Sequence, residues 1–189
     1  MTAALSEIPP PGGWTIADLE ALPEDRVRRE LLDGVLLVTP SPPSADQVLA
    51  MRLMVTLERT CPEHLYVTQA NDVRLGEHQL FIPDVLVITD EAARRGDGSY
   101  SATEVSLAVE IVSPCTESMD RVLKPALYAK AGIPSYWRVE IDGGITVHAY
   151  RLDASDKVYQ PSGTFTDVIT VDEPWRIEIP VSSLRPRHL

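Results

Sequence analysis

Leu80-Phe81-Ile82-Pro83-Asp84-Val85-Leu86-Val87-Ile88 and, beyond a polar stretch, Val105-Ser106-Leu107-Ala108-Val109-Glu110-Ile111-Val112 decide the fold of this chain. Both are short, nearly continuous runs of aliphatic residues, the pattern of strands buried on both faces. Such a strand must be covered on each side by helices or a second sheet, so the class is α/β. Each run is interrupted by one carboxylate, Asp84 or Glu110. A carboxylate in apolar surroundings is costly unless it is paired or bound to a cation.

Moving towards the N-terminus, Ala45 to Thr60 carries a broad apolar stripe through Val48, Met51, Leu53, Met54, Val55 and Leu57, which predicts a long helix over one sheet face. Thr39 to Ser44, with Pro40, Pro42 and Pro43, is a loop, and Ser44 is placed to cap that helix. Glu30-Leu31-Leu32-Asp33-Gly34-Val35-Leu36-Leu37-Val38 sets an Asp-Gly pair between apolar runs, which predicts an antiparallel hairpin. Trp14, Ile16, Leu19 and Leu22 have helical spacing, with Thr15 as N-cap and Pro23 as stop. Residues 1–13 read as a flexible arm, and 14–189 as one domain.

Between the helix and the first decisive run, Tyr66 to Leu75 predicts a strand and Gly76-Glu77-His78 a turn. Asp90 to Tyr100, rich in charge and glycine, reads as an exposed connection. After Ser113-Pro114-Cys115-Thr116, a loop, Met119, Val122, Leu123, Ala126, Leu127 and Ala131 give a helical face that ends at Gly132 and Pro134, with Pro125 set to end or kink its first turn. The remainder is β: Tyr136 to Ile141, Ile145 to Leu152, Val158 to Val171 broken at Pro161-Ser162-Gly163, and a short strand near Trp175 to Ile179.

Composition narrows the function. No apolar run approaches the roughly 18 residues that cross a bilayer, so no membrane partner is expected and the cytoplasm is the default compartment. Cys61 and Cys115 are too few for a disulfide scaffold, and the scattered histidines give no zinc spacing. The formal charge of −11 opposes extended contact with a phosphate backbone unless basic residues gather at one cleft, for which Arg26, Arg28, Arg29, Lys124, Lys130 and Arg138 are candidates.

Asp84 and Glu110 are the residue types that ligate hard divalent cations such as Mg²⁺, which can turn a bound water into a nucleophile against phosphorus. A cation beside such a centre stabilises developing negative charge, and Lys124 is the nearest candidate in sequence. Asp120, Lys124 and Tyr128 follow at i,i+4 spacing and share one helix face. Taken singly, Asp84 also reads as a turn residue after Pro83, Glu110 as the partner of an arginine, and Glu30 as a solvated hairpin residue. Tyr136-Trp137 reads as core packing rather than a base-stacking platform.

Pro83-Asp84, Val109-Glu110-Ile111-Val112-Ser113-Pro114, Asp120, Lys124 and Tyr128-Ala129-Lys130-Ala131-Gly132-Ile133-Pro134-Ser135-Tyr136-Trp137, with Arg29-Glu30-Leu31-Leu32-Asp33-Gly34 upstream, resemble the Uma-two (Uma2) family of restriction-endonuclease-like proteins. The resemblance implies a mixed central sheet flanked by helices, here with an additional C-terminal antiparallel β region. It implies Mg²⁺ or Mn²⁺ held by Asp84, Glu110 and the Ile111 carbonyl, with Lys124 and Glu30 completing the catalytic set and Asp120, Gln47 and Tyr128 supporting it. Two departures stand out: the usual lysine position two residues after the glutamate is Val112, and Asp46 precedes Gln47 where the family commonly has histidine. The expected activity is metal-dependent endonucleolytic hydrolysis of DNA by a homodimer. The alternatives are a non-catalytic binding or assembly module on the same fold, favoured by the acidity, and a hydrolase of small phosphate esters.

Overall fold

The computed structural model describes residues 9–23, 27–39, 42–113 and 116–187. Residues 1–8 of the expected arm, together with Arg26 and Cys115, lie outside the described residues. Helix α1 (Ile16–Glu20) opens with the capping box of Thr15 and Asp18. Strands β1 (Arg28–Leu32) and β2 (Val35–Thr39) form the hairpin, and its turn residues Asp33 and Gly34 have φ of 48° and 81°. Helix α2 (Ser44–Glu58) starts one residue earlier than expected, with Pro43 rather than Ser44 in the capping position.

The two strands expected over residues 66–88 are four: β3 (Leu65–Thr68), β4 (Asp72–Gly76), β5 (Gln79–Phe81) and β6 (Val85–Thr89). Ala70, at φ 53°, breaks the first run and Pro83-Asp84 the second. Neither a left-handed residue nor a residue without an N–H continues a ladder, so the chain changes sheet at each break. The connection expected after β6 is also structured. Thr89 caps helix α3 (Asp90–Arg95), which ends at left-handed Gly96 and leads to β7 (Ser99–Ser101). Strand β8 (Val105–Ile111) follows.

A π-helical turn, Met119–Leu123, precedes α4 (Lys124–Ala131). Pro125 cannot donate to residue 121, and the chain before it widens accordingly. Strands β9 (Ser135–Glu140), β10 (Thr146–Asp153), β11 (Val158–Phe165), β12 (Val168–Val171) and β13 (Ile177–Pro180) complete the fold. The break expected at Pro161-Ser162-Gly163 is a bulge: Tyr150 pairs with Pro161 and Ala149 with Gly163, and the strand continues. As an edge strand, β11 tolerates the missing donor.

Among the described residues the main sheet has the order β11-β10-β9-β8-β6-β3, with β8 and β9 parallel across α4. A second sheet, β2-β1-β5-β4-β7, stands beside it, and β12 and β13 form a ribbon. One core lies between the main sheet and α2, where Leu49, Leu53 and Leu57 meet Val85, Val87, Leu107, Val109 and Trp137. The other lies on the opposite face, where Leu86, Ile88, Ala108 and Tyr136 meet Tyr128 of α4 and Val73 and Phe81 of the second sheet. Side chains alternate along a strand, so Glu110, two residues after Ala108, and Asp84, two before Leu86, belong to the face covered by α4.

Gly34 tests the hairpin that carries Glu30. A Cβ there would lie 3.2 Å from the Gly13 Cα, on a backbone of positive φ. Gly34→Ala is expected to cost about 1–2 kcal/mol in urea unfolding; an unchanged midpoint would contradict this packing.

Candidate active site

The sheet change at Pro83-Asp84 positions the first carboxylate. Asp84 N donates to the Val109 carbonyl (3.0 Å), and its Oδ2 accepts from Ile111 N (2.8 Å), so backbone and side chain both lock onto β8. Glu110 stands between these two contact points. The second sheet brings Glu30, whose Oε1 accepts from Ile82 N at 2.9 Å. Helix α4 brings Lys124 and Tyr128, and the π turn brings Asp120.

These residues meet at one ammonium. Lys124 Nζ lies 3.1 Å from Glu30 Oε1, 3.1 Å from Glu110 Oε1 and 3.4 Å from Asp120 Oδ1. Tyr128 Oη donates to Glu110 Oε1 at 2.6 Å. Tyr136 Oη donates to the Asp120 main-chain carbonyl at 2.6 Å and fixes the turn. Glu30, Glu110, Asp120 and Lys124 are each 2–3 % exposed, as buried as the core. Arg28 lies at the cluster's edge, with Nη1 3.9 Å from Asp84 Oδ1 and Nη2 bonded to the Ile82 carbonyl.

Burial pushes the Glu110 carboxyl well above its usual range, against the pull of Lys124 and with further push from Asp120 and Asp84. Asp84 is raised by burial against the Ile111 N–H and Arg28, and Asp120 by burial against Lys124. Burial alone would lower Lys124, but Glu110, Glu30 and Asp120 together hold it above its ordinary value. The ammonium therefore stays charged, and the carboxyls share too little positive charge among them. Tyr128 is raised by burial beside Glu110 and remains a neutral donor.

Four carboxyls, those of Glu30, Asp84, Glu110 and Asp120, face two cations, Lys124 and Arg28. Among the described residues Asp120 Oδ1 has no hydrogen-bond partner although it is buried, with the Lys124 ammonium 3.4 Å away. Uptake of protons or of a divalent cation would relieve this imbalance, and all the available donors are hard oxygens. Among the described residues no three His, Cys, Asp or Glu side chains form a ready-made cage. Mg²⁺ does not need one, because it is held by one or two carboxylates and keeps several waters. Asp84 and Glu110 carry oxygen donors of the kind such an ion takes.

Other sequence candidates lie elsewhere. Gln47 is exposed on the first turn of α2 and donates to the Pro42 carbonyl, so it is not bonded into the cluster. Its neighbour Asp46 is buried, its Oδ1 has no hydrogen-bond partner among the described residues, and burial raises its carboxyl. Lys130 is exposed on α4, and Arg29 reaches the Val27 carbonyl. Val112, at the usual lysine position, is buried, and the helix-borne Lys124 supplies the ammonium beside Glu110. Arg28 was legible only as a nearby basic residue; its spacing of two from Glu30 on β1 is the signal that it shares the Glu30 face.

A family model described as Uma2, putative restriction endonuclease, matches residues 16–182. No curated protein matches the chain. Among solved structures, that of a "putative nuclease belonging to DUF820" from Anabaena variabilis superposes with a TM-score of 0.71 at 17 % identity, covering 90 % of this chain and 97 % of that one. That likeness establishes the restriction-endonuclease-like fold. Among the described residues no helix is long and apolar enough to cross a membrane.

Two stability measurements test the electrostatics. Lys124→Met strands buried carboxylates, with an expected loss of about 3–5 kcal/mol in urea at neutral pH. A loss below about 1 kcal/mol would place the ammonium in solvent. Glu110 holds its proton more tightly folded than unfolded, so the stability of its neutral form is full below the ordinary value of 4.5 and is lost as pH rises above it. In chelator, Glu110→Gln should therefore gain in Tm on the wild type as pH rises from about 4 to 8; a constant difference would contradict the raised carboxyl.

Proposed function

The chain belongs to the Uma2 family, and from that membership and its buried charge cluster we propose that it is an endonuclease that hydrolyses phosphodiester bonds in DNA with Mg²⁺ or Mn²⁺. The observation that carries this reading is the set of four carboxyls around Lys124 and Arg28, an excess of negative charge in a buried setting. Asp84 and Glu110, with the Ile111 carbonyl, would hold the ion. When bound, such an ion polarises a phosphoryl oxygen and lowers the pKa of a water.

The chain's own groups divide the remaining work. Lys124, kept protonated by its neighbours, opposes the negative charge that grows on the phosphate as the bond breaks. Glu30 and Asp120 hold that ammonium in one position, which avoids reorganisation during the reaction. Tyr128 orients Glu110 through its hydroxyl, and the Ile111 N–H orients Asp84. Arg28, beside Asp84, offers a second cation to a neighbouring phosphate oxygen.

The formal charge of −11 favours the rival reading, a binding protein in which the cluster is purely structural. Cleavage of plasmid and oligonucleotide DNA with Mg²⁺ or Mn²⁺ separates the two. The wild type should cleave, and Asp84→Ala and Glu110→Ala should each lose roughly 10²-fold or more. Cleavage that survives both substitutions would overturn the proposed site, and no cleavage by the wild type would support the structural cluster.

A further inference from the structure

On the sheet face that carries Glu110, strands β9 to β11 and helix α4 leave a cleft of about 280 Å³. Its floor is built of tyrosine. Tyr136 stacks on Tyr150 with centroids 5.9 Å apart and planes 30° apart, and on Tyr159 at 5.6 Å and 22°. Tyr136 is buried, while Tyr150 and Tyr159 are half-buried and line the opening. The Arg138 guanidinium stands 5.8 Å from the Tyr150 centroid. Each lip carries a large apolar side chain left in water, Val122 at 70 % exposure and Val158 at 52 %.

Three cations, Arg121, Arg138 and Lys157, stand at the rim in a chain of net charge −11. Arg121 and Arg138 share Glu140, and Arg121 also bonds Glu117. Lys157 is exposed at the mouth and adds a cation with no acid in ion-pair contact among the described residues; its φ of 52° is a backbone conformation unusual for lysine. The cleft adjoins the carboxylate cluster through two links. Tyr136 bonds the Asp120 carbonyl, and Arg138 pairs in register with Glu110 across β8 and β9.

Stacked rings offer a π face to another flat ring, apolar lips exclude water from its edges, and nearby cations receive an anion. A flat ring tethered to a phosphate is a nucleotide. The volume lies near the lower end of small-ligand pockets, roughly 300 Å³, so it admits one nucleotide and not a stacked base pair. We infer that this cleft captures one unpaired nucleotide, with its base against Tyr150 and Tyr159 and its phosphate at Lys157. This goes beyond hydrolysis, because base capture needs neither a metal nor a cleaved bond. It also sets a preference for single strands, ends or extruded bases over continuous duplex.

Calorimetric titration of the full chain in EDTA, where no cleavage occurs, tests the inference apart from the proposed catalysis. The probes are thymidine monophosphate, thymidine, inorganic phosphate, and one oligonucleotide sequence in single-stranded and duplex form. The monophosphate should bind more tightly than thymidine or phosphate, and the single strand about tenfold more tightly than the duplex. Tyr150→Leu, which removes a ring whose hydroxyl has no hydrogen-bond partner among the described residues, and Lys157→Glu, on the exposed rim, should each weaken monophosphate binding about tenfold, with circular dichroism unchanged. Binding of phosphate equal to that of the monophosphate, indifference to both substitutions, equal affinity for single strand and duplex, or no binding at millimolar nucleotide would each overturn it.

Discussion

The structure depends on one buried ammonium. Lys124 reaches carboxylates from three separate parts of the fold: Glu30 on the second sheet, Glu110 on the main sheet and Asp120 on the π turn ahead of its own helix. A cation in such a place requires its partners, and the partners require it, because either alone would be an uncompensated buried charge. The cluster therefore fixes how the second sheet and α4 sit against β8. It does so at a cost in desolvation that apolar packing would avoid, which is a reason to read it as functional as well as structural.

Two breaks in regular structure make the cluster possible. At Pro83-Asp84 the chain leaves the second sheet for the main one, and this turns Asp84 across to the Ile111 N–H at the end of β8. At Pro125 the lost donor coincides with a π turn that sets Asp120 beside Lys124. Carboxyl oxygens and a charged ammonium are thus held before any substrate arrives, as electrostatic preorganisation requires. The tyrosine cleft lies on the same sheet face as the carboxylates.

Much of this was legible in the sequence for a physical reason. Aliphatic runs interrupted by one acid announce both a buried strand and a charge in need of a partner, which identified Asp84 and Glu110; the i,i+4 spacing of Asp120, Lys124 and Tyr128 put them on one face. The Asp33-Gly34 turn and the Thr15 cap were equally readable, since each rests on local backbone chemistry. What local chemistry does not carry is where the chain changes sheets. The run from Tyr66 to Leu75 looks continuous because Ala70 has no intrinsic bias to φ 53°. Helix α3 was missed because its charges read as loop, although Thr89, the acids after it and Gly96 form a start and a stop. The depth of Glu30 was equally hidden, because a hairpin residue is buried only by a partner far along the chain.

The central proposal is that the carboxyl cluster takes up a divalent cation at Asp84 and Glu110 and releases protons as it does so. Calorimetric titration with Mn²⁺ at constant pH in buffers of differing ionisation enthalpy measures affinity and proton release together. The account predicts saturable binding accompanied by proton release, with both reduced in Asp84→Asn and Glu110→Gln. No binding at millimolar Mn²⁺, or binding that both substitutions leave intact, would contradict it.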